Sequence, residues 1–482
     1  MTTARDAAVA AVPEQSAAMR WALASLSLCM LMSSLGTSIA NVGLPTLGEA
    51  FGASFAQVQW IVLAYLLAST TLIVGVGRLG DIAGRRTLLL SGIALFTVAS
   101  ALCGAATTLP LLIAARALQG LGAAIMMALS MALIGEAVPK ARTGSAMGLL
   151  GTMSAIGTAL GPSMGGMLIS GIGWHAVFLI NLPLGLAAFL LAYRCLPADH
   201  AVRSTGRAQL DKLGALLLAL ALAAYALAMT TGRGGFGFLN IVLLSVAIAA
   251  AGLFVLAETR AAAPLLRLAM FRDAVLSAGL AMSALVSTVM MATLVVGPFY
   301  LSRALGLEAA QVGLAMSVGP LVAALAGMPS GRLVDRFGVR RMITVGLMGM
   351  ATGAGALSLM PMSLGISGYV APLLVITAGY ALFQAANNTA VMVDVRPDQR
   401  GIVSGMLNLS RNLGLITGAS VMGAVFVLAV ATADMTAARA EDVATGMRVT
   451  FAVATMLIVL GLATAAAARH MSGRPTTPAD PS

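Results

Sequence analysis

The sequence carries little charge for its length. Of its 482 residues, 9% are charged and 59% are hydrophobic, whereas about a quarter of the residues in a soluble domain are charged. So few charges exclude a soluble globular protein, because they could not cover so much apolar surface. Apolar runs of about 20 residues, which suffice to cross a hydrocarbon core of about 30 Å, recur along the chain. The sequence therefore predicts an all-α integral membrane protein, because helices satisfy their own backbone hydrogen bonds in lipid.

The residues that build enzymatic and metal sites are also scarce. The three histidines, His175, His200 and His470, lie in different loops, and the three cysteines show no paired spacing. No Gly-Lys-Ser or Gly-Lys-Thr loop is present to cradle the phosphates of ATP. These absences weigh against a membrane enzyme, a metalloprotein or a primary pump. We expect a protein that is not an enzyme, with no cofactor and no metal.

The apolar runs define fourteen predicted spans, which are joined by short polar loops. Their approximate bounds are 21–40, 57–76, 88–106, 110–135, 145–170, 176–196, 213–230, 239–257, 275–301, 311–330, 342–361, 369–392, 402–431 and 449–468.

Basic residues set the predicted orientation of these spans. If both termini are cytoplasmic, 22 of the 28 Lys and Arg residues lie inside, four lie outside and two lie within spans. This bias follows the positive-inside rule and predicts a multi-pass protein of the inner (plasma) membrane. The net charge of +11 then reflects loops that meet anionic lipid, so we expect the bilayer as a partner and no nucleic acid.

The chain repeats itself. The segment Gly77 to Arg86 follows the second span, and the similar segment Gly331 to Arg341 follows the tenth, 254 residues later. We infer two six-helix halves with a two-helix insert, an architecture that holds a small-molecule substrate between the halves near mid-membrane. The predicted domains are an N-terminal bundle (1–196), a cytoplasmic linker with two additional helices (197–273), and a C-terminal bundle with a short cytoplasmic tail (274–482).

Both repeated segments resemble the signature loop of the major facilitator superfamily, Gly-x-x-x-Asp-x-x-Gly-Arg-Arg or Lys. The resemblance covers nearly the whole chain and implies the major facilitator fold. It also implies that the acidic residue of the loop helps to hold the cytoplasmic side closed. The alternative is a loop that serves topology alone. The candidate gating residues are Asp81, Arg85, Arg86, Glu136, Arg142, Asp335 and Arg336.

The fourth span contains Arg116 to Gly120, which is similar to the Arg-x-x-x-Gly pattern of the family. An arginine at mid-membrane costs at least about 2.5–3.5 kcal/mol, so such a residue is expected to face the protein interior. The alternative is a side chain that snorkels to the interface. The resemblance implies a role in coupling or substrate binding, with Gln119 and the intramembrane Arg411 as further candidates.

The fifth span contains the pattern Gly-x-x-x-Gly-Pro-x-x-Gly-Gly, which resembles the antiporter motif of exporters in this superfamily. Glycines spaced by four present a smooth face for close helix packing, and packing alone is the alternative interpretation. The following segment, Trp174 to Gly185, is similar to the start of the sixth span in fourteen-helix drug:proton antiporters. The motif residues are Gly157, Gly161, Pro162, Gly165 and Gly166.

The first span departs from that multidrug efflux family. Its pattern there is Leu-Asp-x-Thr-Ile-Val-Asn-Val-Ala-Leu-Pro, and here Gly36 replaces the intramembrane aspartate. A cation-binding exporter normally needs a buried anion, so proton coupling and a preference for cationic drugs are both open. Polar residues within spans either line a cavity or join helices. These candidates are Asn41, Tyr65, Gln384, Asn387, Asn388 and Asn408.

The leading functional hypothesis is a secondary exporter of small amphipathic compounds or drugs, with protons as the coupling ion. The alternative is a solute importer or facilitator of the same fold, without proton antiport. A periplasmic adaptor is conceivable for an exporter, but no sequence feature supports one.

Overall fold

The computed structural model describes residues 3–138, 143–196, 199, 212–230, 237–260, 270–271, 273–393, 395, 400–431 and 438–472. For some residues in these helices, Asp81 and Glu136 among them, it describes the backbone alone.

Every predicted span corresponds to a helix, and thirteen helices in the described ranges are long and apolar enough to cross a membrane. The remaining predicted span lies in the 29-residue helix α5. The prediction of an all-α membrane protein is therefore confirmed. The helices are α1 (Thr3–Val42), α2 (Phe55–Ala83), α3 (Arg85–Gly104), α4 (Leu109–Ala137), α5 (Thr143–Gly171), α6 (Asn181–Cys195), α7 (Lys212–Thr230), α8 (Phe238–Arg260), α9 (Ala274–Phe299), α10 (Ala309–Phe337), α11 (Val339–Leu359), α12 (Gly365–Met392), α13 (Arg400–Thr417) and α14 (Ala440–Ser472).

Two helices continue beyond an irregular turn. Helix α9 runs into a π-helical turn, Tyr300–Ala304, and α13 continues through a second π turn, Gly418–Met422, into Gly423–Val430. A short helix, Leu44–Phe51, follows α1, and a single turn, Ala176–Leu179, precedes α6. π turns occur frequently at functional sites because they change which backbone groups are paired.

The helices form two six-helix bundles with the same internal packing. In the first bundle α1 packs against α5 and α6, while α4 packs against α2 and α3. In the second bundle α9 packs against α13 and α14, while α12 packs against α10 and α11. The two bundles therefore repeat one arrangement, with α1–α6 equivalent to α9–α14.

Close contacts at glycine confirm this correspondence. A Cβ atom built on Gly122 of α4 would lie 2.9 Å from the carbonyl oxygen of Gly92 on α3, and one on Gly379 of α12 would lie 2.7 Å from that of Gly346 on α11. The equivalent pairs are 257 and 254 residues apart. Backbones approach this closely in membrane proteins only where small residues line the interface.

The two additional helices, α7 and α8, pair with each other, and α7 contacts both bundles. Trp60 Nε1 on α2 donates a hydrogen bond to Thr230 Oγ1 at 3.0 Å. The hydroxyl groups of Tyr225 and Thr417, on α7 and α13, are 3.2 Å apart. Helix α7 is thus held to the first bundle at one residue and to the second bundle at another.

The helix ends define two faces of the molecule. We call the face with the α2–α3 and α10–α11 turns the Gly84 face, and the opposite face, with the α1–α2 connection, the Glu49 face. The turn glycines Gly84 and Gly338 have φ values of +89° and +86°, which side chains with a Cβ rarely adopt. The repeated loops therefore make the same reversal of the chain in both bundles.

Asp199, which follows the end of α6, caps the N-terminus of α3. Its carboxylate accepts hydrogen bonds from the backbone N–H groups of Arg86 and Thr87, at 2.8 and 3.0 Å, and from the Thr87 hydroxyl at 2.7 Å. The Arg86 guanidinium donates to the carbonyl oxygen of Tyr193 and lies over its ring. Partial burial opposes ionisation of Asp199, but these hydrogen bonds and Arg86 outweigh it and lower the pKa of Asp199.

We predict that Asp199→Asn destabilises the protein at pH 7 by about 0.3–1 kcal/mol, the usual contribution of a negative charge at a helix N-terminus. Because the folded-state pKa is lowered, this contribution is present above the ordinary aspartate pKa of about 3.9 and is lost as the pH falls through the folded-state value. Thermal unfolding of both proteins in detergent at pH 7 and pH 3 measures it. A difference that stays the same at both pH values would contradict a charge-dependent cap.

Candidate functional site

The guanidinium of Arg116 is fully buried inside the first bundle. Its Nε donates to the carbonyl oxygen of Ile61 on α2 at 2.9 Å, and its Nη1 donates to that of Gly36 on α1 at 3.1 Å. Nη1 also donates to Gln119 Oε1 at 2.5 Å. The side chain has no exposed surface, so it does not snorkel to the interface. Arg116 thereby ties α4 to both α1 and α2.

Neighbouring side chains extend this network. Gln119 Nε2 donates to the hydroxyl of Ser100 on α3 at 2.7 Å, and Tyr65 Oη donates to the Ser33 carbonyl at 2.8 Å. The Arg116 guanidinium carbon lies 4.3 Å from the centre of the Tyr65 ring, a favourable cation–π distance. Four helices of one bundle meet at these side chains.

The charge of Arg116 faces neutral groups. At position 36, where the pattern of the drug:proton antiporters has an aspartate, this chain has a glycine. A Cβ atom on Gly36 would lie 3.4 Å from Tyr65 Oη and 3.2 Å from the edge of the Phe96 ring. The space around position 36 is therefore occupied by aromatic side chains, and Arg116 bonds to the backbone of that residue. Nη2 of Arg116 has no hydrogen-bond partner among the described residues. Carbonyl dipoles and the Tyr65 ring stabilise the cation here.

One face of α5 packs against α1. A Cβ atom on Gly157 would overlap the Leu31 carbonyl oxygen, one on Gly161 would overlap Ser38 Oγ, and one on Gly165 would lie 3.0 Å from the Ile39 carbonyl oxygen. The glycines of the motif thus allow contact between two backbones within the first bundle.

A neighbouring face of α5 packs against α10 of the second bundle. A Cβ atom on Gly166 would overlap the Ala309 carbonyl oxygen, and one on Gly313 would overlap that of Pro162. The Cα atom of each of these two glycines would lie about 3 Å from the Cβ atom built on the other. The motif therefore serves two interfaces, one inside its bundle and one between bundles.

The equivalent interface between α2 and α13 contains a hydrogen bond. Gln59 Nε2 donates to the carbonyl oxygen of Ala419, in the π turn of α13, at 2.7 Å. Gln59 is 2% exposed. Ala419 and Gln59 are the repeat equivalents of Pro162 and Gly313, at offsets of 257 and 254 residues. Sequence reasoning missed Gln59, although a polar side chain in an apolar span is a signal of this kind.

Further contacts close the Glu49 face. Glu49 and Arg303 form an ion pair between the bundles, and the hydroxyl of Ser170 accepts from the Ala310 N–H at 3.1 Å. Phe55 packs against Phe299 and Phe426, with ring centres 4.6 and 5.2 Å away. These contacts and the Gln59–Ala419 hydrogen bond join the two bundles, and they lie toward this face. The molecule is closed on the Glu49 side.

The second bundle has its own polar contacts. The guanidinium of Arg411 on α13 lies against the side-chain amide of Gln384 on α12, and the amide oxygen accepts from it when the amide is oriented to face the guanidinium. Asn387 Nδ2 donates to the Gly279 carbonyl at 3.1 Å, and its Oδ1 has no partner among the described residues. In the first bundle, Asn41 Nδ2 donates to the Thr37 carbonyl of its own helix at 3.1 Å.

The remaining predicted residues are more scattered. Asn388 and Asn408 are half-buried, and Asp335 and Arg336 are exposed at the Gly84 face. The side chains of Asp81 and Glu136, and the whole of Arg142, lie outside the described residues, so their predicted latch stays a prediction. No group of three His, Cys, Asp or Glu side chains that could hold a metal occurs within the described ranges.

This architecture defines a class of protein: two equivalent six-helix bundles that meet at a closed face, with polar and charged side chains inside. Membrane transporters are built in this way. The sequence model of the Major Facilitator Superfamily matches residues 26–419. The chain therefore belongs to the major facilitator superfamily, as its motifs predicted.

Similarity to individual proteins extends over most of the chain. The riboflavin transporter RibZ of Clostridioides difficile is 29% identical over 82% of this chain and 86% of its own length. The multidrug resistance protein Stp of Mycobacterium tuberculosis is 30% identical over 84% of this chain and 75% of its own length. In fold, the chain is similar to a bacterial homologue of the human lysosomal transporter Spinster, with a TM-score of 0.69 at 16% identity and coverages of 96% and 99%.

We predict that Gly36→Asp gives a more stable protein than the isosteric Gly36→Asn. Only the aspartate supplies a negative charge near the Arg116 guanidinium, and hydrogen bonds to charged groups contribute about 1.5–3 kcal/mol. Both variants pay the same steric cost against Phe96, so comparing their thermal unfolding in detergent isolates the charge. Equal melting temperatures would contradict a site in which Arg116 lacks only an anion.

We also predict that Gly157→Ala and Gly166→Ala fail in different ways. The Gly157 substitution strains the contact with α1 and lowers the melting temperature, because the backbone of α1 must shift. The Gly166 substitution strains the contact with α10, so it opens the Glu49 face while leaving the bundle folded. Accessibility of a cysteine introduced at Ala310 reports that opening.

Gly151→Ala is the matched control. Gly151 lies on the same helix as Gly157 and Gly166, and a Cβ atom built there meets nothing within 4 Å. Loss of stability without added accessibility in Gly166→Ala would contradict the assignment of that face to the contact between bundles.

Proposed function

We propose that this chain is a secondary active exporter of small amphipathic compounds that works by alternating access. The observation that carries the proposal is the position of α5, whose glycine face contacts α1 and whose Pro162 and Gly166 contact α10. A motif typical of exporters thus lies in the interface that has to open and close. The similarity to a multidrug resistance protein supports the same direction of transport.

The orientation predicted from basic residues makes the Glu49 face the outer one. The described contacts between the bundles then close the periplasmic side, and the molecule is ready to receive substrate from the cytoplasm. This is the state from which an exporter loads. Both termini lie in the cytoplasm of the inner membrane in this proposal.

Proton coupling is part of the proposal, but the residues that would bind the proton differ from those of the fourteen-helix drug:proton antiporters. Gly36 provides no proton-binding group beside Arg116. Asp81 and Glu136, whose backbones lie in the last turns of α2 and α4, are then the residues that exchange protons with the cytoplasm. Their gating role and their protonation would be linked, because a neutral carboxyl no longer attracts neighbouring arginines.

Arg116 gives the proposal a preference among substrates. A buried guanidinium with an unpartnered Nη2 and no described carboxylate nearby favours a substrate that carries an anionic or hydrogen-bond-accepting group.

The second candidate function is a facilitator or importer without proton antiport, and the missing carboxylate at Gly36 favours it. The riboflavin transporter among the relatives shows that export of drugs is one of several activities in this range of similarity.

The deciding experiment is transport in proteoliposomes with an imposed proton gradient. We predict that an anionic amphipathic dye moves against its own concentration gradient when the proton gradient is present. When the proton gradient is collapsed, the dye should only equilibrate across the membrane. Equilibration at the same rate in both conditions would contradict antiport and establish the facilitator.

Arg116 variants test the substrate preference in the same vesicles. Arg116→Ala should abolish transport of the anionic dye more than that of a neutral one, whereas Arg116→Lys keeps the point charge and should retain part of it. Equal losses for both dyes would assign Arg116 to structure or coupling. Arg303→Lys, which keeps the charge of an outer ion pair, is the control.

A further inference from the structure

The N-termini of α3 and α11 are repeat equivalents with different surroundings. Gly84 and Gly338 precede them with the same positive φ, and Arg86 corresponds to Arg340 at an offset of 254 residues. At α3 the carboxylate of Asp199 accepts from the exposed N–H groups, and Arg86 bonds to Tyr193. At α11, by contrast, no described side chain accepts a hydrogen bond from the N–H groups that follow Gly338.

Arg340 is exposed, and no described carboxylate lies within ion-pair distance of it. Among the described residues, the first turn of α11 thus combines N–H groups that lack an acceptor, the positive end of a helix dipole and a guanidinium. Such a combination binds anions. The equivalent turn of α3 shows which group binds at such a helix end, because its N–H groups donate to the carboxylate of Asp199.

An apolar cavity of about 220 Å³ opens beside this turn. Its walls come from α9, α11, α12 and α14, and include Val275, Ile343, Ala390 and Ala468. In the first bundle the corresponding space is filled, since Leu133, the equivalent of Ala390, and Leu196 are both buried there. Small residues in the second bundle therefore leave a space that the first bundle lacks.

A second polar group points to a ligand in the cavity. Asn387 lines it and is 1% exposed, and its Oδ1 has no hydrogen-bond partner in the described structure although its Nδ2 is bonded to Gly279. A buried acceptor without a donor is costly, so a ligand hydroxyl would stabilise it. A ligand that matches the whole site therefore carries an anionic group, an apolar part and a hydroxyl group in one molecule.

We propose that this cavity binds an anionic phospholipid with a hydroxyl-bearing headgroup, of which phosphatidylglycerol is the simplest. The phosphate lies at the N-terminus of α11 and against Arg340, the headgroup hydroxyl donates to Asn387, and acyl carbons lie along the apolar walls. The location at the helix ends, where headgroups reside, favours a lipid of the bilayer over a soluble anion. Basic pockets between membrane helices bind anionic lipid headgroups in this manner.

Lipid binding to the purified full-length protein in detergent tests the proposal, by native mass spectrometry and by thermal stability during lipid titration. We expect phosphatidylglycerol to bind and stabilise the wild type, and phosphatidylcholine to do neither at equal concentration. Arg340→Gln should weaken phosphatidylglycerol binding about fivefold, the usual contribution of one arginine near an anionic surface. Ala390→Leu, which introduces the residue of the first bundle, should exclude the lipid.

Arg341→Gln is the matched control, because it removes the same charge from the next residue, which does not line the cavity. Equal weakening by Arg340→Gln and Arg341→Gln would reduce the effect to general surface charge and overturn the site. Equal binding of phosphatidylcholine would overturn the anion requirement. Equal stabilisation by soluble glycerol phosphate would show a phosphate site without a lipid, and would also overturn the proposal.

Discussion

Close approach of helix backbones at glycine residues is the interaction on which the rest of this structure depends. Lipid tails are as apolar as leucine, so helices in a bilayer gain little from hiding apolar side chains and associate through packing and hydrogen bonds. Here the same glycine contacts recur between α3 and α4 and between α11 and α12. The bundles are therefore equivalent because their helices touch at equivalent glycines, and the buried polar groups take their positions from that packing.

The two interfaces between the bundles differ at one pair of equivalent positions, which holds a glycine, Gly313, in α10 and a glutamine, Gln59, in α2. Between α5 and α10, Gly166 and Gly313 bring two backbones together without a side chain in between. In the equivalent place between α2 and α13, Gln59 fills the space and bonds to a carbonyl of the π turn. The glycine contact of the first interface involves no polar side chain, although the Ala310 N–H donates to Ser170 Oγ near its end, whereas the second contact depends on a buried polar side chain that needs a new partner whenever it opens.

Much of this arrangement was predictable, because apolar runs, charged loops and an internal repeat all constrain helices in a membrane. The fourteen helices, the repeat and the inward-facing Arg116 come from patterns that lie on contiguous sequence. Gln59 and Asp199 were not predictable in this way, since their partners are 360 and 112 to 113 residues away and are backbone atoms or a helix terminus. A backbone carbonyl freed by a π turn leaves no mark on residue type, so such contacts become visible only in three dimensions.

The buried cation and the polar contact between bundles share one helix. Arg116 holds the carbonyl of Ile61, and Gln59, two residues earlier on α2, holds the carbonyl of Ala419. An anion that competed for the guanidinium would release the Ile61 carbonyl on the same turn that contacts α13. The Ile61 carbonyl would then lose the donor that Arg116 supplies, two residues from the side chain that bonds to α13. The absence of a carboxylate at Gly36 matters here, because a fixed salt bridge would hold Arg116 against such competition, whereas neutral carbonyls yield to a charged ligand.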